Sequence, residues 1–501
     1  MTVCPDDRTV GAVLAGRTFT SIEGDAIVST NPAQPDDIVW SGSPDPAFVD
    51  TAVRAAGGAF PGWAGRSLED RIAFMRRWQE ITTSRADEMA RLICREMGKT
   101  MAESEFEAKA LAGKVDITLD DISMNRVRGY DVKVSATRDG VCHFKPHGVM
   151  AVIGPFNFPA HLPNGHIIPA LLLGNTIVFK PSEKTPAVGQ LLAEMMQQIE
   201  LPAGVFNLVH GAGDIASRLV NHDDIDGVLF TGSWPVGRRI LAANLDRPGR
   251  IIALELGGNN PAIVLDDAPL KLAVLECMRA AFATTGQRCT CTRRIIVQRG
   301  IADRFIRAFA QTASSLLIGP GDSEAPVFMG PLITAASREQ ALAFQADLAQ
   351  RGGRVIVEST AMDRPGHFIT PGVVEMPRFD REHDTECFGP IVQIAIVDDL
   401  DDAIAQANAT RYGLAASIFT AREAAFQRFF REGRAGCINW NTGTAGASGK
   451  LPFGGLGFSG NHRPAGAFSV DYCAYPVANM IEHSDEATPG TGMHWDDAWL
   501  S

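Results

Sequence analysis

From Gly148 to Lys184 the chain reads GVMAVIGPFNFPAHLPNGHIIPALLLGNTIVFKPSEK, and this stretch decides the fold. Val149 to Ile153 and Thr176 to Phe179 are near-continuous apolar runs rich in β-branched residues, the pattern of parallel strands buried on both faces. A helical stretch lies between them. The same alternation continues through Val205 to Val209, Gly227 to Thr231 and Ile251 to Leu254. Strands and helices alternating with short links predict a doubly wound α/β domain, whose ligand lies at the carboxyl ends of the strands. A second alternating region runs from Asn260 to about Trp440, with strands expected at Ala262 to Leu265, Ile295 to Gln298, Ile391 to Val397, Ser417 to Thr420 and Cys437 to Trp440. Two α/β domains joined near Glu255 would leave a cleft between them.

Upstream, Pro46 to about Met124 carries apolar residues spaced by threes and fours, among them Ile72, Met75, Trp78 and Ile81, which predicts packed helices. Gly98 closes one of these helices. The next, over Glu103 to Asp120, reads as scaffold with its charges on the outer face. Asp131 to Pro146 changes to alternation, and Asp139-Gly140 is the expected hairpin turn. A two-stranded ribbon is marginal alone, so Phe468 to Ile481, which holds Pro476, is expected as a third strand at an edge. That small sheet is expected to be an oligomerisation arm. Ser484 to Ser501 is acidic and reads as a loosely ordered tail.

The chain has 501 residues and a formal net charge of -12, which argues against nucleic acid or an anionic membrane as partner, since phosphate binding needs surplus Lys and Arg. No apolar run reaches the length of a membrane span, and Met1 to Gly16 places Asp6, Asp7 and Arg8 where a signal peptide would be basic and then apolar. A cytoplasmic protein is expected. Nine scattered cysteines form no disulfide framework. His143 and His147 are separated by Pro146, and no CxxC or HExxH spacing occurs, so no metal is expected.

Chemistry is expected at the strand ends. Phe282 to Arg294 reads FATTGQRCTCTRR, placing Cys289 in a polar, Gly-containing break between an apolar helix and a β-branched strand. Arg288, Arg293 and Arg294 are expected to lower the thiol pKa; the bland alternative is an inert buried cysteine. Lys180 and Glu183 could hydrogen-bond a ribose diol, and a carboxylate there would favour NAD over NADP. Ser233, at a helix start with Gly232 before it and Gly237 after, suits a pyrophosphate; alternatively these glycines serve turn and packing. Glu255 precedes Gly257-Gly258 and would face the cleft, while Asn157 carries an amide donor for an oxyanion. Both could also be plain capping or turn residues.

The motifs Pro155-Phe156-Asn157-Phe158-Pro159, Lys180-Pro181-Ser182-Glu183, Phe230-Thr231-Gly232-Ser233, Leu254-Glu255-Leu256-Gly257-Gly258, Gly286-Gln287-Arg288-Cys289, Glu386-Cys387-Phe388-Gly389-Pro390 and Pro452-Phe453-Gly454-Gly455 occur in that order. On these residues the chain resembles the aldehyde dehydrogenase superfamily over nearly its full length. The resemblance implies two doubly wound α/β domains plus a small β oligomerisation arm. It places NAD binding in 1–127 and 148–256, catalysis in 257–455, the arm in 128–147 and 468–485, and a flexible tail in 486–501. It makes Cys289 the nucleophile, Glu255 the general base and Asn157 the oxyanion donor. Lys180 and Glu183 would hold the adenosine ribose, Ser233 and its helix the pyrophosphate, and Glu386 and Phe388 the nicotinamide riboside, with Phe156 also at the cofactor. A homodimer or homotetramer acting on a small aldehyde follows from the same resemblance.

Other stretches, among them His161 to His166, Gly258 to Pro261, Cys289 to Arg294 and Ser459 to Pro464, most resemble the N-succinylglutamate 5-semialdehyde dehydrogenases of arginine catabolism. A substrate with two carboxylates needs a local basic patch in an acidic protein. Arg288, His161, His462 and Arg463 are the candidates, with backbone donors from the loop holding Gly446 and Ser448; equally, these residues could simply tie the chain together. Two departures from the superfamily pattern, Phe156 for a tryptophan and Asn259 for a lysine, bear on substrate preference. Another carboxylate-bearing semialdehyde is an alternative substrate. A cofactor-independent cysteine thioesterase or hydrolase is the rival from another class.

Overall fold

The computed structural model describes residues 11–20 and 26–501. The acidic start that argues against a signal peptide lies in the first ten residues, outside the described ones. Among the described residues no helix is long and apolar enough to cross a membrane.

The first sheet has seven strands, in the order Ile251–Leu256, Gly227–Gly232, Val149–Ile153, Thr176–Lys180, Phe206–Leu208, Ala12–Leu14 and Arg17–Phe19. Its first five are parallel. The order reverses between Val149–Ile153 and Gly227–Gly232, so the crevice beyond their carboxyl ends is where a doubly wound sheet takes a ligand. Burial explains why these strands read as unbroken apolar runs: Met150 and Val152 enter one core cluster, Val149, Ala151 and Ile153 the cluster on the other face. The terminal pair Ala12–Leu14 and Arg17–Phe19 adds antiparallel strands that the apolar alternation did not predict.

A second seven-stranded sheet runs Arg354–Val357, Gly372–Glu375, Ile391–Val397, Thr292–Gln298, Asn260–Val264, Ala415–Phe419 and Cys437–Trp440. All neighbours are parallel except the Arg354–Val357 edge. The chain leaves the first sheet at Leu256 and enters the second at Asn260, so the seam between sheets is the short strap Gly257-Gly258-Asn259.

The small sheet is three-stranded, with Arg138–Pro146 between Tyr130–Lys133 and Ala474–Glu482. Pro476 stands on the outer strand opposite Phe144, where a missing N–H costs no interior ladder bond. The predicted turn is corrected. Asp139 and Gly140 are paired strand residues, opposite Lys133 and Val132 on one side and Ile481 and Met480 on the other. The hairpin turns earlier, through residues 134–137. Nine cross-strand pairs with Ala474–Glu482 outweigh the turn preference of one dipeptide.

Helices Ala47–Ala64, Leu68–Ser84, Ala86–Met97 and Met101–Leu119 pack on the first sheet's side. Gly98 closes the third in the left-handed conformation, where a Cβ would strike the rings of Pro32 and Pro331. The fourth begins at Thr100, whose hydroxyl accepts from the Glu103 N–H. Its charges are not all outward: Glu107 and Lys114 are buried.

Candidate active site

Cys289 follows a short irregular segment after helix Leu270–Phe282 and precedes strand Thr292–Gln298. The segment is conformationally unusual. Thr284 and Thr285 hold φ of 54° and 56°, a region β-branched residues rarely adopt, and Gly286 follows at φ 72°. Gly286 is required for a second reason, since a Cβ there would lie 2.2 Å from the Gly389 carbonyl oxygen. Beyond the thiol, Asn260 Nδ2 donates to the carbonyls of Cys289 and Cys291 at 2.7 and 2.8 Å. Both flanks of Cys289 are therefore fixed.

The strap brings the two sheets' polar groups together. A Cβ at Gly257 would lie 1.9 Å from Glu386 Oε2, and one at Gly258 would lie 2.8 Å from the Cys289 carbonyl. The Gly258 N–H donates to Glu386 Oε1 at 3.0 Å. Glu255, two residues earlier on strand Ile251–Leu256, is 1% exposed, and neither carboxylate oxygen has a partner among the described residues. Burial raises its pKa well above the ordinary carboxylate value, against a lowering by Arg463. A carboxyl so placed is a stronger base than one in water.

Cys289 is partly accessible. Its thiol pKa is raised well above the usual value, by burial first and then by the facing Glu255 and Glu386. This corrects the expectation that three arginines depress it, because their charge goes elsewhere. Arg288 donates to Glu103 Oε1 at 2.8 Å and to Thr284 Oγ1 at 2.7 Å. Arg294 is buried and donates to the carbonyls of Asn259, Gln406 and Ala407. Arg293 alone opposes the shift. The resting thiol is therefore neutral and must lose its proton to a base on reaction.

Asn157 is buried just past strand Val149–Ile153. Its neighbour Phe156 meets Phe388 of the second sheet's side edge-on at 5.8 Å between ring centroids, which joins the Asn157 loop to the Glu386 loop.

On the nucleotide side the groups are relaxed. Lys180 Nζ donates to the carbonyls of Pro181 and Gly211, both at 2.6 Å, and lies 3.8 Å from Glu183. Burial lowers its pKa to about 8. Glu183 is substantially exposed. Ser233 stands at the N-cap of helix Trp234–Ala243 without a side-chain capping bond, and Pro235 in the first turn has no N–H of its own. Gly237 inside the helix faces Leu256, which a Cβ would meet at 2.9 Å, and a Cβ at Gly232 would meet the Phe230 ring at 2.3 Å. An exposed carboxylate beside a buried lysine, and a free helix start at the switch crevice, fit a dinucleotide's ribose and pyrophosphate.

Of the basic substrate candidates, Arg288 is already paired and His161 is neutral, its pKa pushed down to about 4 by burial. His462 is also lowered by burial. Arg463 donates to the Gly455 carbonyl at 2.8 Å, and its charge is the one that reaches Glu255. The loop with Gly446 and Ser448 is exposed, but the Gly446 N–H is spent on the Gly443 carbonyl and Ser448 Oγ on the Lys450 N–H. Asn259 donates to Asp384 at 2.8 Å. Sequence reasoning missed Glu103 and Glu107, whose spacing by four alongside Leu111 and Val115 marks them for the apolar face of their helix.

Residues 19–476 match the aldehyde dehydrogenase family. The chain is 42% identical to an N-succinylglutamate 5-semialdehyde dehydrogenase of Chromobacterium violaceum over 91% of this chain and 94% of the relative. It is 44% identical to N-succinylglutamate 5-semialdehyde dehydrogenase 2 of Caulobacter vibrioides, again over 91% and 94%. Among solved structures, PnpE in complex with nicotinamide adenine dinucleotide superposes with a TM-score of 0.91 at 30% identity, covering 96% of this chain and 99% of that one. A Thermus 1-pyrroline-5-carboxylate dehydrogenase with bound NAD gives 0.88 at 26% identity, covering 94% and 92%.

Proposed function

The chain belongs to the aldehyde dehydrogenase family, and from that premise we propose that it carries out NAD-dependent oxidation of N-succinyl-L-glutamate 5-semialdehyde to N-succinyl-L-glutamate, a step of arginine degradation. The observation that carries the chemistry is Glu255, a buried carboxyl with no partner for either oxygen among the described residues, whose charge acts on the thiol of Cys289.

An aldehyde yields no hydride until its carbon becomes tetrahedral. Cys289 Sγ adds to the carbonyl carbon as its proton passes to a solvent water in the cleft, and the oxygen becomes a thiohemiacetal alkoxide that the Asn157 amide and the Cys289 N–H stabilise. Hydride would then leave this carbon for a nicotinamide bound in the cleft. The thioester left on Cys289 is cleaved by a water whose proton Glu255 takes, freeing the acid and the thiol. Lys180 and Glu183 would hold the adenosine ribose, the N–H groups after Ser233 the pyrophosphate, and Glu386 and Phe388 the nicotinamide riboside. Phe156 packs on Phe388 and steadies it.

The acyl and carboxylate end of the substrate is assigned to Arg463, with His462, His161, Arg288, Gly446 and Ser448 along its path. Two domains (1–127 with 148–256, and 257–455), the arm and the tail belong to the same reading, as do a homodimer or homotetramer built on the arm and a cytoplasmic location. Specificity constants for semialdehydes with and without an N-acyl group test the substrate. The N-succinyl compound is expected to lead, and a preference for the free amine would overturn the assignment. Sedimentation tests the oligomer.

A further inference from the structure

One turn of helix Met101–Leu119 touches both loops on which the proposed chemistry depends. Glu103 Oε1 accepts three hydrogen bonds at 2.8 Å, from the Thr284 N–H, the Thr284 hydroxyl and Arg288 Nη2. Glu103 thereby holds the left-handed backbone at Thr284 and, through Arg288, the residue next to the thiol. Four residues on, Glu107 Oε1 accepts from the Ala160 and His161 N–H groups at 3.0 and 3.1 Å, fixing the loop that carries Asn157. Its other oxygen accepts from Lys99 Nζ at 2.5 Å, and both side chains are fully buried. Lys99 in turn lies 3.3 Å from the centroid of the Phe158 ring, and Arg288 lies 5.3 Å from the same centroid. Phe158 follows Asn157 directly, so cations from both halves of the arrangement meet on one ring.

Residues i and i+4 on a helix sit one above the other about 6 Å apart, and a helix is stiff over one turn. A buried ion pair is costly to assemble and more costly to break, which makes it a poor choice for stability alone and an effective one for fixing register. We propose that Glu103 and Glu107 are positioning residues that set the separation of the Cys289 sulfur from the Asn157 amide, so that the donor meets the alkoxide formed on addition to the aldehyde. Neither touches the reacting atoms. The proposal rests on the assignment of Cys289 and Asn157 above.

Its test separates two reactions of one thiol. Alkylation of Cys289 by iodoacetamide creates no oxyanion; the single-turnover burst of reduced cofactor does. In Glu107→Gln the burst rate is expected to fall about tenfold or more, as a misplaced catalytic group does, with the alkylation rate within about twofold of the unmodified enzyme. In Glu103→Gln the released loop is expected to alkylate faster while the burst slows. A Lys99→Gln, Glu107→Gln double variant, which leaves no lone buried charge, serves if Glu107→Gln does not fold, with the same split expected. A wild-type burst in Glu107→Gln or in the double variant, or alkylation and burst falling in parallel, overturns the proposal. Alkylation needs no aldehyde. A protein that alkylates at Cys289 and responds to Glu103→Gln, yet gives no aldehyde-dependent reduction, would sink the functional reading while leaving the helix's hold on the thiol loop intact.

Discussion

The two sides of the seam are built alike and finished differently. Both sheets are doubly wound and seven-stranded. At the nucleotide side the polar groups are at ease: Lys180 is satisfied by two carbonyls, Glu183 stands in solvent, and Ser233 starts a helix in extended conformation. At the thiol side two threonines are left-handed, a carboxyl is buried with nothing to bond, and glycines are pressed against Glu386 and the Cys289 carbonyl. Strain and unpaired polarity cost stability, on the order of 1–3 kcal/mol for each such residue, and persist where the surroundings force them. The difference teaches that binding needs only complementary surface, whereas bond-making needs groups held in states that water would relax.

The contrast predicts how unequal the two sides are to substitution. Cys289→Ala should remove aldehyde-dependent NAD reduction altogether while leaving NAD binding by calorimetry unchanged. Retained turnover would break the assignment at once. Glu255→Gln comes next. Steady-state turnover should drop roughly 10²–10⁴-fold, with a burst of reduced cofactor preserved because acylation does not need the water-activating carboxylate. The same variant should be more stable than the parent. A carboxyl whose folded pKa is raised binds its proton more tightly when folded, so the stability present below the ordinary carboxylate range is lost as pH rises through the raised value. Melting curves of the two proteins should therefore nearly coincide near pH 4 and separate progressively above it, the variant melting higher.

Most of the relaxed side was legible in the sequence, because its strands are buried on both faces and announce themselves as unbroken apolar runs, two of which lead into Lys180 and Thr231. The thiol side was legible in its residue types but not in its electrostatics. Arg288, Arg293 and Arg294 lie close to Cys289 in the chain, yet Arg288 is taken by Glu103, Arg293 and Arg294 point to opposite faces of their strand, and only Arg293 keeps its charge toward the sulfur. Glu103 and Glu107 were hidden by their chemistry: acidic residues on a helix are usually solvated, and only a paired cation, distant in the chain as Arg288 is from Glu103 or near as Lys99 is to Glu107, makes burial tolerable. The Asp139-Gly140 turn failed for the converse reason, a strong local signal overridden by pairing with a strand more than 300 residues away.

A third substitution sharpens the contrast without altering any reacting group. Gly257→Ala places a methyl 1.9 Å from Glu386 Oε2, so Glu386 must swing off the Gly258 N–H. Displacement of about 1 Å near the reacting centre can lower kcat on the order of 10²-fold. Stopped-flow measurement of hydride transfer should show the loss in that step, with the thioester hydrolysis proposed for Glu255 spared.

The smallest effect is expected on the relaxed side. Glu183→Ala removes one exposed acceptor from the proposed ribose site, and a hydrogen bond to a charged group contributes about 1.5–3 kcal/mol, or roughly ten- to a hundredfold in affinity. Solvent already competes for Glu183, so the lower bound applies: KM for NAD should rise about tenfold with kcat unchanged. Removing the carboxylate also removes its repulsion of a 2′-phosphate, so the NAD to NADP preference should narrow by a similar factor. If Glu183→Ala instead lowered kcat as much as Gly257→Ala, the nucleotide side would be as finely set as the thiol side. The division of the molecule into a relaxed binding half and a strained reacting half would then be wrong.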